Sequence, residues 1–150
     1  MKRILPPTSK RVHFHTNQKV NEKIKDKTLE RIEKYKDAEL ELLNKRIKKL
    51  NREWDTESVL EANASAIIFV SLILGFQVHR YWFILPLFIS FFLFQHAVQG
   101  WCPPLPIIRR LGVRTAEEIH DEKMALRMIR GDLINEDTPE ELFKKLSEND

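Results

Sequence analysis

Between Ala62 and Cys102 the chain carries 28 apolar residues out of 41 and a single Lys, Arg, Asp or Glu, Arg80. The flanks hold the other 24 of 25 basic residues and all 22 acidic ones. Seven of the nine Phe lie in the central block. So uneven a distribution excludes a uniform soluble globule, a disulfide-stapled secreted module and a disordered tail protein. The block divides at His79-Arg80. Its first run, Ala62 to Val78, covers about 25 Å as a helix, short of a bilayer core of about 30 Å, so the helix is expected to extend upstream through Ser58-Val59-Leu60-Glu61. The second run, Tyr81 to Cys102, is long enough to span, with Pro86 near its start, where a missing N–H costs little. The residues between them allow only a tight turn, so the two helices must be antiparallel neighbours.

The reading is therefore an all-α membrane protein: a transmembrane helical hairpin over 56–102, with helices at about 57–78 and 82–102, flanked by cytoplasmic amphipathic helices. Lys45, Arg46, Lys48, Lys49 and Arg52 precede the first span, and Arg109, Arg110 and Arg114 follow the second. Only Arg80 lies in the turn, a bias that puts both termini in the cytoplasm. The competing reading is a helical hairpin buried in a soluble all-α oligomer. No secretory signal opens the chain. The net charge of +3, with acids and bases interleaved over 19–49, argues against nucleic acid.

Residues 1–16 read as a disordered arm. Residues 17–55 read as a helix with a short a/d seam of Leu40, Leu43, Ile47, Leu50 and Trp54, either a brief coiled coil or an amphipathic face against membrane or protein. Upstream, Ile24, Leu29, Ile32 and Tyr35 fall out of register with that seam. Asp55-Thr56 is a capping break before the first span. In the segment 103–150, Thr115-Ala-Glu-Glu118 opens a helix over about 116–130, which Gly131 ends, and Thr138-Pro-Glu-Glu141 opens a last helix over about 139–147. Ala62 with Ala66, and Ser71 with Gly75, are small-residue pairs that permit close helix packing.

Polar groups within the apolar block need partners. Gln95, Gln99 and Cys102 share one face of the second helix, with His96 beside them. Asn63 and Ser65 lie at the same depth on the first helix. These groups either hydrogen-bond across the hairpin or a dimer seam, or line a small polar site in which His96 accepts a proton or ligand and Cys102 offers a thiol. One His and one Cys cannot complete a metal site within one chain, and no cofactor is expected. Cys102 ends a helix, where the macrodipole disfavours the thiolate unless Arg109 and Arg110 fold back on it. An inert interfacial thiol is the alternative. There is no Gly-rich phosphate loop, G-x-S-x-G or HExxH to suggest an enzyme.

The stretch Gln99-Gly100-Trp-Cys102-Pro103-Pro, followed by Ile108-Arg-Arg-Leu111-Gly112-Val-Arg-Thr115, resembles the YgaP-like transmembrane domain family over roughly residues 60–115. The resemblance implies a bacterial inner-membrane helix pair that forms a homodimer. Some relatives are fused to a rhodanese domain with its own catalytic cysteine. This chain has no such segment, so sulfurtransferase activity is not carried over. The expected function is a non-enzymatic, dimerising scaffold whose cytoplasmic arms meet a further protein partner. The alternative is an oligomeric relay or transport unit for small sulfur or redox species, using Cys102 with His96, Gln95 and Gln99.

Overall fold

The computed structural model describes residues 7–132, all of whose regular structure is helical. In chain order the α-helices are α1 (Arg11–Phe14), α2 (Gln18–Tyr35), α3 (Leu40–Leu50), α4 (Thr56–Gln77), α5 (Ile84–Gln99), α6 (Leu105–Arg110) and α7 (Ala116–Arg130), with short 3-10 turns at Thr8–Lys10 and Arg80–Phe83. The helix expected over 139–147 lies outside the described residues. The chain forms two compact units. One takes the N-terminal residues up to Ile24 together with Trp54–Ala116; the other takes Lys25–Glu53 and continues from Glu117.

The first unit is built on the hairpin. Asp55 caps α4, its carboxylate accepting the Ser58 N–H at 2.7 Å, as the sequence predicts. The helix then runs 22 residues, about 33 Å. His79 caps the 3-10 turn through Nδ1, so α5 starts two residues later than expected. Gly100, at φ +75°, ends it three residues earlier than expected, in the left-handed conformation that glycine adopts without a Cβ penalty. With the 3-10 turn included, the second apolar helix spans Arg80–Gln99, and both helices are long and apolar enough to cross a membrane. In each, less than a fifth of the most apolar stretch is buried in the chain itself, 17% and 11%. Phe69, Phe76, Leu87, Phe88, Phe91 and Phe94 all face outward.

The small residues are used unequally. Ser71 and Gly75 are buried inside the hairpin, and a Cβ on Gly75 would come within 2.7 Å of the Phe83 ring. That ring also stands edge-on to Phe76, centroids 5.0 Å apart. This pair therefore serves packing within the hairpin of one chain. At the other end of the hairpin, Val12, Leu60, Cys102, Leu105 and Ile108 form a buried cluster flanked by Val59, Trp101 and Val113.

Part of the stretch expected to be a disordered arm is ordered. Over the described residues from Pro7 to Thr16 the chain forms two short helical turns with Val12 buried. The ties come from distant partners that local composition does not reveal. Arg109, 1% exposed, donates to Thr16 Oγ1, Asn21 Oδ1 and the Val113 carbonyl. Asn21 in turn donates to the His13 carbonyl. The α6 turn, which the proline-rich sequence conceals, starts on Pro104 and ends at Gly112, φ +89°.

In the second unit the helix expected over 17–55 breaks at residues 36–39, so α2 and α3 are separate. The break resolves the slip in the apolar pattern. Tyr35 and the Leu43, Ile47, Leu50 face now share one core with Ile119, Leu126 and Ile129 of α7. The a/d seam is thus consumed within the unit, and its ends, Leu40 and Trp54, are exposed. Glu122 is fully buried, accepting from Arg46 Nε at 2.9 Å and Nη2 at 2.5 Å, with Arg31 Nη1 at 3.3 Å. Gly131 closes α7 at φ +92°, as predicted.

Two outcomes follow for stability in detergent. Glu122→Ala strands the buried Arg46 and is expected to cost about 3–5 kcal/mol. Leu126→Ala opens a cavity and should cost about 2–5 kcal/mol. Denaturant unfolding followed by hydrogen exchange in α7 checks both. Separately, Gly75→Val should loosen the hairpin by about 1–3 kcal/mol through overlap with Phe83, read as lost amide protection over α4 and α5.

Candidate functional site

Antiparallel packing sets the first turn of α4 against the last turn of α5. That pairing brings Glu57 to His96, with His96 Nε2 2.9 Å from Glu57 Oε2. His96 is 5% exposed, whereas the Glu57 side chain is 49% exposed. The carboxylate accepts the Nε2 proton. Nδ1 is buried and has no hydrogen-bond partner. The other polar group beside the ring is the Cys102 thiol, itself 3% exposed within the Val12, Leu60, Leu105, Ile108 cluster.

The residues predicted from sequence separate into two sets. His96 and Cys102 come together. Gln95 is half-buried and Gln99 exposed. The helical stripe expected through Gln95, Gln99 and Cys102 is interrupted, because α5 ends at Gln99 and the Gly100 turn carries Cys102 off the helix into the cluster. Asn63 is exposed and donates to the Val59 carbonyl of its own helix at 2.7 Å; Ser65 likewise donates to Ala62. Both satisfy themselves along α4 rather than across the hairpin. Glu57 was not anticipated. Its signal is present in retrospect: an acid in the first turn after an Asp cap faces whatever the antiparallel partner carries in its last turn.

The motif residues have mainly conformational roles. Gly100 and Gly112 hold positive φ, Pro103 is exposed in the turn before α6, and Leu111 is exposed after it. A Cβ on Gly100 would overlap Arg11, whose guanidinium donates to the Ala97 carbonyl at 3.4 Å. The glycine thus admits the α1 backbone close over the end of α5. The Arg109 guanidinium donates to Thr16, Asn21 and the Val113 carbonyl. Among the described residues no group of three or more His, Cys, Asp or Glu is arranged to hold a metal ion. His13 and His15 are exposed.

No family profile, curated protein or solved structure matches the chain.

Because Gly100 combines positive φ with close approach to Arg11, Gly100→Ala is expected to cost about 1–3 kcal/mol. The loss should concentrate at the seat of α1. Hydrogen exchange over residues 8–14 should rise more than exchange over α4.

Proposed function

We propose that this is a bacterial inner-membrane protein of the YgaP-like transmembrane type, acting as a non-enzymatic, dimerising scaffold. The observation that carries this reading is the bareness of α4 and the second apolar helix: only 17% and 11% of their most apolar stretches find cover within the chain. Outward Phe and Leu side chains in such number need lipid or a large partner. A bilayer supplies that cover along the whole length of both helices and tolerates their backbone, whose polar groups are satisfied internally. The Lys/Arg bias then sets both termini in the cytoplasm. Exposed Trp54, Ile107 and Leu111 beside Arg110 suit a membrane–water interface, where apolar bodies and charged tips coexist.

In this reading the helices of the second unit form the scaffold's partner-binding part. They carry their own core, and Leu29, Leu40, Leu42 and Met128 are exposed on them. Homodimerisation is part of the proposal on the strength of the family resemblance.

Single-cysteine labelling tests the topology. In a Cys102→Ser background, Arg80→Cys is expected to react with an impermeant maleimide in intact spheroplasts. Lys48→Cys should react only after the membrane is opened. The reverse pattern, or release of the protein by alkaline carbonate, would sink the membrane reading. A strictly monomeric mass in mild detergent would remove the dimer alone.

A further inference from the structure

We propose that the outer face of α6 is a binding site for anionic phospholipid headgroups, with Arg110 on the lipid phosphate and Ile107 and Leu111 among the upper acyl carbons. The inference rests on the membrane reading above and adds to it the lipid class that one end of the hairpin selects.

The short helix Leu105–Arg110 divides its side chains between two faces. Leu105, Ile108 and Arg109, at i, i+3 and i+4, are buried. Ile107, Arg110 and Leu111 repeat the same spacing on the outer side and are exposed, Ile107 at 62% and Leu111 at 79%. Adjacent arginines therefore do opposite things. Arg109 turns inward and holds Thr16, Asn21 and the Val113 carbonyl. Arg110 turns outward, where its charge stands between two bare apolar side chains, and α6 itself carries no acid.

Packing fixes the depth of this face. Leu105 and Ile108 share a cluster with Leu60 and Val59 of α4. Leu60 lies about 6 Å along that helix from its start at Thr56. The start of α4 is tied in turn to the chain just after α6: the Thr56 N–H donates to the Arg114 carbonyl at 2.8 Å, and the Thr56 hydroxyl donates to it at 3.0 Å. The helix α6 is thus level with the first two turns of α4, where that helix enters the bilayer. Trp54, exposed, immediately precedes the same turns. At that level Ile107 and Leu111 have acyl chains beside them and the guanidinium has headgroups. A guanidinium matches a phosphate with paired N–H donors. The net charge of an anionic lipid then favours it over a zwitterionic one. The face is continuous with the outward Phe and Leu side chains of the hairpin, so lipid is the occupant that covers both without a break.

The full-length protein in mild detergent tests this, titrated with phosphatidylglycerol or phosphatidylcholine of the same acyl chains and read by native mass spectrometry. The wild type is expected to hold phosphatidylglycerol more tightly. Arg110→Gln should weaken the first phosphatidylglycerol about 5-fold, the effect of one charge at the surface, and leave phosphatidylcholine unchanged. Arg110→Lys should lose less. Ile107→Ser with Leu111→Ser should weaken both lipids alike. Arg80→Gln, at the other end of the hairpin, should change neither, and inorganic phosphate should not displace the lipid. Arg110 is exposed, so its variants test binding rather than folding. Equal retention of the two lipids by the wild type overturns the proposal, as does Arg110→Gln binding like wild type. Displacement by inorganic phosphate overturns it in favour of a free anion. A dimer fraction that falls in Arg110→Gln while lipid binding holds overturns it in favour of a second copy on this face. Release of the wild type from membranes by alkaline carbonate would end the membrane reading and this proposal together. A carbonate-resistant protein without an Arg110 effect ends this proposal alone.

Discussion

Residues 78–83 are all that join α4 to α5, and so short a link leaves two long helices no option but to lie antiparallel. Much of the first unit depends on that constraint. At the turn, Phe83 is driven against Gly75, where only a missing side chain leaves room. At the opposite end, the helix that starts with an acidic first turn meets the helix that carries His96 in its last turn. Burying a histidine among apolar side chains is costly unless its nitrogens find partners, and the antiparallel pairing supplies one in Glu57. Chain reversal at Gly100 then has to return the backbone over the same end of the hairpin, which is how Cys102 and Leu105 come to share a cluster with Leu60.

Buried charge is handled differently in the two units. In the first, Arg109 is buried and ties distant segments together. It spends its donors on a hydroxyl, an amide oxygen and a backbone carbonyl, so it acts as a clamp on the N-terminal segment. In the second, Glu122 takes two arginines, one nearly buried and one half-exposed. Pairs of this kind seldom add net stability over an apolar core, yet removing one partner is severe. Here the carboxylate on α7 joins that helix to Arg46 on α3 and Arg31 on α2, beside the apolar contacts the seam of α3 makes with the same helix.

The sequence made some features legible because they are local. The two apolar runs, the Asp55 cap and the Gly131 cap follow from composition and from rules that span one turn. The rest required partners far along the chain. Nothing in Pro7 to Thr16 announces order, since its ties come from Arg109 and Asn21. The break between α2 and α3 left a trace, the slipped apolar register, although no Gly or Pro marks it. Of the candidate site, His96 and Cys102 were legible as polar exceptions in an apolar block. Gln95 and Gln99 looked equivalent to Cys102 on a helical projection, but a projection assumes that the helix continues; Gly100 ends it and turns Cys102 off their line, while Asn63 satisfies itself along α4.

That termination changes what kind of thiol Cys102 is. On a continuing helix it would sit at the negative end of the macrodipole, beside two glutamines and open to the surroundings. After the left-handed turn it lies three residues outside α5, enclosed by apolar side chains, with an imidazole as its polar neighbour. Val12 of the first helical turn, Leu60 of α4 and Leu105 and Ile108 of α6 enclose the sulfur together, so access to the thiol depends on how those elements pack.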